Sequence, residues 1–162
     1  MYEIRVPFPV IEYSIVKIVL QRCAFAHVAV EEKVVAEIAR GLVLFVGIEE
    51  GDNEADAQKM ARKIVALRLF DDENGRLSFS VRDIGGVVLA IPNFTLCGQT
   101  RKGTRPNFSD AAPSASAKPF FERFVTLLRQ ENVAVESGVF GADMKIRVEN
   151  DGPVTLILQS SD

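Results

Sequence analysis

Apolar positions along this chain alternate in short runs at some places and recur at helical spacing at others. Ile15-Val16-Lys17-Ile18-Val19-Leu20 predicts a strand that closes on the polar Gln21-Arg22. Phe25 to Val30 and Lys33 to Ala39 predict the next two strands, with Glu31-Glu32 at the turn between them. Gly41 to Ile48 is a continuous apolar run of buried-strand length. Asp52-Asn53-Glu54 then offers a helix cap, and Met60, Ile64 and Leu67 recur at helical spacing. Asp71 to Gly75 predicts a turn, and Val87 to Ile91 a strand leading into Pro92-Asn93-Phe94-Thr95-Leu96. Gly98 to Pro113 is a polar loop. A second helix is predicted over Ser114 to Gln130, with Pro119 either delaying its start or bending it. Val133 to Glu136, Met144 to Val148 and Val154 to Leu158 predict three more strands, and Gly152-Pro153 punctuates the last two. Residues 1–14 show no clear period and are expected to be an arm or an extra edge strand; residues 15–162 form the domain proper.

Many strands with two main helices imply an α+β domain whose helices pack on a largely antiparallel, barrel-like sheet. The length of 162 residues suits one domain. Hydrophobic residues at 48% and charged residues at 25% are the ordinary globular balance. No apolar run is long enough to span a bilayer, and Met1 to Tyr13 lacks the pattern of a secretory signal. Cys23 and Cys97 sit in apolar runs and read as buried, reduced thiols, which fits a cytoplasmic protein. A net charge of −3 argues against coating nucleic acid through bulk charge, and DNA is not an expected partner. It leaves room for a local contact, for which Arg101, Lys102 and Arg105 form the one dense basic cluster. Alone, that cluster reads first as a solvated loop.

The common catalytic kits are missing: no GxSxG elbow, no phosphate-binding loop, no GxGxxG and no paired histidines. The single histidine, His27, alternates with apolar neighbours and reads as a strand residue, so neither a histidine-based zinc site nor a Ser-His-Asp triad is expected. No metal or cofactor is expected. Two segments remain. Pro92 cannot donate to a ladder, so the strand ends or opens there, and the N–H groups of Asn93, Phe94 and Thr95 become available to a ligand. In Asn150 to Thr155, Gly152 permits close approach to the backbone, and an X-Pro bond can be cis. Locally, each segment also reads as ordinary structure: a strand end with a buried Phe, and a hairpin turn.

Together with their surroundings the two segments resemble the D-aminoacyl-tRNA deacylases. The resemblance runs in order through Ile18 to Arg22, Gly41 to Gly47, Lys63 to Phe70, Phe94-Thr95-Leu96, Arg101 to Ala112, Phe140 to Met144 and Asn150 to Thr155. It implies a homodimer that hydrolyses the ester joining a D-amino acid, or glycine, to the 3′ end of tRNA. It implies that Gly152-Pro153, joined by a cis bond, enters the active site of the other subunit and rejects L side chains. Arg22 and Met144, with Asn150 and Thr155, are the implied supporting residues, and Arg101, Lys102 and Arg105 the implied tRNA contacts. Phe94 and Thr95, with Pro92 and Asn93, are the implied catalytic segment. The family signature there opens with Ser-Gln, whereas this chain has Pro92-Asn93. A related branch that removes L-alanine mischarged on a threonine tRNA has proline at the first position, so altered specificity is one alternative. A non-catalytic nucleic-acid-binding member of the fold is the other. Without a nearby histidine, the expected mechanism is attack by water, with the Phe94 and Thr95 amides holding the oxyanion and the tRNA 2′-hydroxyl assisting.

Overall fold

A computed structural model describes residues 16–161. The expected N-terminal arm lies outside the described residues. Among the described residues, eight strands and two α-helices follow in order: β1 (Lys17–Val30), β2 (Lys33–Ile38), β3 (Gly41–Gly47), α1 (Glu54–Ala66), β4 (Arg68–Asp71), β5 (Leu77–Ser80), β6 (Val87–Pro92), α2 (Ser114–Gln130), β7 (Ala134–Ser137) and β8 (Lys145–Gln159). The α+β architecture expected from the pattern is the one observed. Among the described residues, no helix is long and apolar enough to cross a membrane.

The sheet is organised by β1. Its first half pairs antiparallel with β3, its second half with β2, and β8 runs antiparallel along the other edge over nearly its whole length. The sequence predicts two strands here; the chain makes one of fourteen residues. Gln21-Arg22 does not end it, because register shifts on both sides of Cys23 absorb the break in alternation. Ile18 and Leu20 join the core under the helices. Cys23, Ala26 and Val28 join a second cluster with Ile38, Val43, Leu89 and Ile91 inside the curved sheet.

β3 and β6 are buried on both faces. Leu42, Leu44, Val88 and Ala90 face the helices, while Val43, Leu89 and Ile91 face the sheet interior. Burial on both faces explains why Gly41 to Ile48 reads as a continuous apolar run. The β3–β6 and β6–β7 pairs are parallel. Their connections pass through α1 and α2, and a helical crossover returns the chain in the same direction.

Asn53 caps α1, its side chain accepting from the Asp56 N–H at 3.0 Å. The helix stops at Ala66, and the next residues enter a hairpin, β4–β5, that the helical spacing hides. The Asp72 carboxylate gathers that turn by accepting from the Asn74 and Arg76 N–H groups and the Ser78 hydroxyl, with Gly75 at φ +72°. α2 begins at Ser114, and Pro119 does not delay it. Pro119 lies exposed on the helix, so its missing donor leaves no buried acceptor stranded.

The largest departure from the sequence pattern is at Gly152-Pro153. These residues do not turn a hairpin. They sit within β8 as a bulge. Gln21 pairs with Thr155 and Cys23 with Asn150, so four residues, 151–154, stand opposite Arg22 alone.

Candidate functional site

β6 ends at Pro92, as a residue without an N–H predicts. The Asn93 N–H donates to the Val46 carbonyl on β3 at 2.8 Å, so the Pro92 nitrogen points toward the β7 side. β7 has already ended there, its last pair being Ala90 with Ser137. Proline therefore costs the sheet no hydrogen bond. Beyond it, Phe94–Cys97 form one tight 3-10 turn. Asn93 is thus a correction: its amide is occupied. The Phe94 and Thr95 amides are the first two of the turn and have no acceptor among the described residues. Both residues are exposed.

These residues line a cleft of about 720 Å³. Phe108, Ala111 and Ala112 form a second wall, and Phe140, Asp143 and Met144 a third. Among the described residues, Asp143 is the one charged side chain in its lining. Phe94, 58% exposed where a buried ring is the ordinary expectation, meets Phe108 edge to face with centroids 5.2 Å apart. The Thr95 hydroxyl donates to Asn93 Oδ1. His27 lies elsewhere, paired on β1 with Glu37 and Arg147 and edge-on to Phe25 at 5.7 Å.

Asn150, Gly152, Pro153 and Thr155 form a separate cluster on β8. The Gly152–Pro153 bond is cis, Gly152 has φ +136°, and both residues are exposed. The Asn150 side chain closes the bulge, accepting from the Val154 N–H at 3.1 Å and donating to the Val154 carbonyl and the Thr155 hydroxyl at 3.2 Å each. Gln21 also donates to the Thr155 hydroxyl, at 3.2 Å. Arg22, only 6% exposed, donates through Nε to the Asp151 carbonyl at 2.9 Å and through Nη1 to the Leu69 carbonyl at 2.8 Å. It ties the bulge to the β4–β5 hairpin, with the Asp71 and Asp151 carboxylates 3.4 and 3.5 Å away.

Within one chain the two predicted segments therefore do not meet, since neither Gly152 nor Pro153 lines the cleft. Arg22, Asn150 and Thr155 brace their own chain's bulge. Met144 does not; it belongs to the cleft and packs over Gly138, where a Cβ would lie 2.9 Å from the methionine sulfur.

Arg101, Lys102 and Arg105 are exposed at the tip of a loop whose base is pinned by reciprocal backbone bonds between Gln99 and Asn107 at 2.7 and 2.9 Å. Phe108 follows that base directly, so the basic tip and the cleft wall belong to one loop. Sequence reasoning missed Phe108 and Phe140 as lining residues: Phe108 is a lone aromatic in a polar loop and Phe140 sits in a short irregular stretch between strands, and neither position has a periodicity that shows which way its ring faces. Cys23 and Cys97 are free, buried thiols, and burial pushes each up to about 11. Among the described residues, no group of three or more His, Cys, Asp or Glu side chains is placed to hold a metal.

An α+β fold with a barrel-like sheet and a largely apolar cleft that bears two unbonded amides defines a class that comparison with known proteins makes specific. The family model described as D-Tyr-tRNA(Tyr) deacylase matches residues 19–159, and the chain belongs to that family. The D-aminoacyl-tRNA deacylase of Carboxydothermus hydrogenoformans is 47% identical over 141 residues, covering 87% of this chain and 97% of the relative. That of Halalkalibacterium halodurans is 49% identical over 144 residues, covering 89% and 99%. A solved structure described as c-Myc DNA Unwinding Element Binding Protein superposes with a TM-score of 0.82 at 37% identity, covering 88% of this chain and 97% of that one. Another, described as a probable eukaryotic D-amino acid tRNA deacylase, gives 0.78 at 18% identity, covering 90% and 99%, and speaks for the fold alone.

Proposed function

We propose that this protein hydrolyses the ester joining a D-amino acid, or glycine, to the 3′ end of tRNA, and that it does so as a homodimer in the cytoplasm. The observation that carries the reading is the pair of unbonded amides, Phe94 and Thr95, on residues lining a cleft that contains no histidine. Water attacks the ester carbonyl, and the two amides stabilise the oxyanion as it forms. The ester C–O bond then breaks, releasing the free amino acid and the tRNA hydroxyl. The terminal 2′-hydroxyl of the tRNA helps to activate the water. Thr95 is a poor nucleophile here. Its hydroxyl proton is given to Asn93 Oδ1, an amide oxygen that cannot take it as a base.

Chiral selection falls to Gly152-Pro153 of the partner protomer. The pair is exposed, its bulge is braced from behind by Arg22 and Asn150, and it has no cleft of its own to enter. A second copy supplies one. Main-chain atoms presented by this pair would hold the substrate amino group and leave no room for an L side chain, whereas glycine has nothing to exclude. The basic tip Arg101, Lys102 and Arg105 would meet the acceptor-end phosphates.

Purified protein incubated with D-Tyr-tRNA and L-Tyr-tRNA is expected to release the D amino acid alone and to sediment as a dimer. Thr95→Ala should retain measurable turnover; complete loss with intact folding would overturn the backbone-led mechanism. A second reading, a non-catalytic nucleic-acid-binding member, is favoured by the Pro92-Asn93 pair and by the description of the 37% identical structure. Retained tRNA binding without release of either amino acid would select it.

A further inference from the structure

A shielded ion pair lies beneath the cleft's second wall. Lys17 opens β1 and Glu49 follows β3 by two residues. The Lys17 ammonium is 2.6 Å from Glu49 Oε1, with the side chains 24% and 13% exposed. Around this point the 107–112 loop is seated on the end of β3. Glu49 bridges Ala111, the Glu50 N–H donates to the Asp110 carbonyl at 3.1 Å, and the Ala112 N–H donates to the Ile48 carbonyl at 3.0 Å. The seat is acidic. The Asp52 carboxylate accepts from the Glu49 N–H at 2.7 Å, and Asp110 accepts from Gln99 at 2.8 Å. Lys17 is the cation set against this group. Contact with Glu49 raises its affinity for its proton above the usual lysine value despite desolvation, and Asp110 and Cys97 add to the effect.

We propose that Lys17 and Glu49 are a positioning pair. By neutralising the shielded carboxylate at the seat, Lys17 holds the 107–112 loop down, and with it Phe108, Ala111 and Ala112 as the wall of the substrate cleft. The role in catalysis rests on the deacylase reading; the seat itself does not. A carboxylate left without its cation in so little water draws solvent in, and the cheapest route is to lift the loop from β3. A displaced wall loosens the substrate, and misplacement of this order costs roughly tenfold or more in kcat/KM.

Four proteins test this: wild type, Lys17→Met, Lys17→Arg and the double variant Lys17→Met/Glu49→Gln. Each is assayed for D-Tyr-tRNA hydrolysis and for hydrogen exchange at the Glu50 and Ala112 amides. Lys17→Met should exchange faster at both amides and lose activity mainly through KM. Lys17→Arg should keep both properties. The double variant, which removes the stranded charge, should recover most of the lost activity although it has no lysine. Unchanged exchange in Lys17→Met, or faster exchange with unchanged kcat/KM, overturns the proposal. So does a double variant as impaired as Lys17→Met, since a merely stabilising lysine would not be rescued by removing its partner. A wild type that releases no D-Tyr refutes the deacylase reading and this role with it, while the exchange data still judge the seat independently.

Discussion

Replacing Gly152 with alanine probes the β8 bulge with one added carbon. At φ +136° the residue occupies backbone territory that L side chains avoid, at a cost of roughly 1–3 kcal/mol. The new Cβ would lie 2.8 Å from the Val154 nitrogen, 2.9 Å from Val154 Cγ2 and 3.1 Å from Arg22 Nη2. Two of the three are held in place. Val154 N is main chain held by Asn150, and the guanidinium is anchored to the Leu69 and Asp151 carbonyls. The bulge must therefore shift or the strain must be borne. For a chain of this length each kcal/mol lowers Tm by about 2–4 °C, so a fall of roughly 2–12 °C is expected. A domain with about 5–15 kcal/mol of stability stays folded at assay temperature. A loss of D-Tyr-tRNA hydrolysis larger than the unfolded fraction would then report the displaced Gly-Pro surface. Calorimetry and single-turnover deacylation on the same sample separate the two effects. Wild-type Tm with a wild-type rate would refute the reasoning, because it would mean that neither the backbone conformation nor the packing at Gly152 matters.

Much of the fold was legible because patterning and burial coincide. Asn53 reads as a cap and is one, Ser114 to Gln130 reads as a helix and is one, and the apolar run of β3 reflects burial on both faces. The failures have a common physical source. β1 and β8 each read as two strands because polar or glycine-proline residues interrupt their alternation. A bulge, however, is a feature of two strands paired, and neither strand alone shows where the other will absorb the extra residues. The β4–β5 hairpin was hidden because Leu67 continues the helical spacing past the residue where the backbone leaves the helix. The two parallel pairs depend on what α1 and α2 connect, which no local window contains.

The cleft was half legible. Pro92 predicts an opened strand end on chemical grounds, and the strand ends there. That the Asn93 amide is spent on Val46, leaving Phe94 and Thr95 unbonded, depends on the register of β3 against β6. Phe108 reaches Phe94 only because the intervening loop folds back on β3, through contacts involving Glu49 and Ala111 that lie far apart in sequence. Arg22 looked like a strand-ending polar residue. Its near-complete burial makes sense once the Asp151 and Leu69 carbonyls arrive to accept its donors.

Three further substitutions follow from the same geometry. Arg22→Met keeps the stem but orphans the buried Leu69 carbonyl, at a cost of about 1–3 kcal/mol; urea unfolding should show a lower midpoint with an unchanged slope, and an unchanged midpoint would refute the anchoring role. Arg101→Ala/Arg105→Ala should leave Tm in place and reduce the salt dependence of tRNA binding by about one to two phosphate contacts; an unchanged slope would remove the loop tip from the tRNA interface. Pro92→Ser tests the chain's main departure from the family signature. The Pro92 nitrogen faces the side where β7 has ended, so serine breaks no ladder bond and forfeits only the proline's restraint on the unfolded chain, about 0.4–1 kcal/mol. It also adds a hydroxyl to the cleft lining. If proline merely preserves the backbone path, D-Tyr-tRNA hydrolysis should hold or rise and any release of L-alanine from a mischarged threonine tRNA should fall. A variant that loses D-specific turnover while keeping its Tm would instead assign Pro92 a positive part in D-specific hydrolysis at this site.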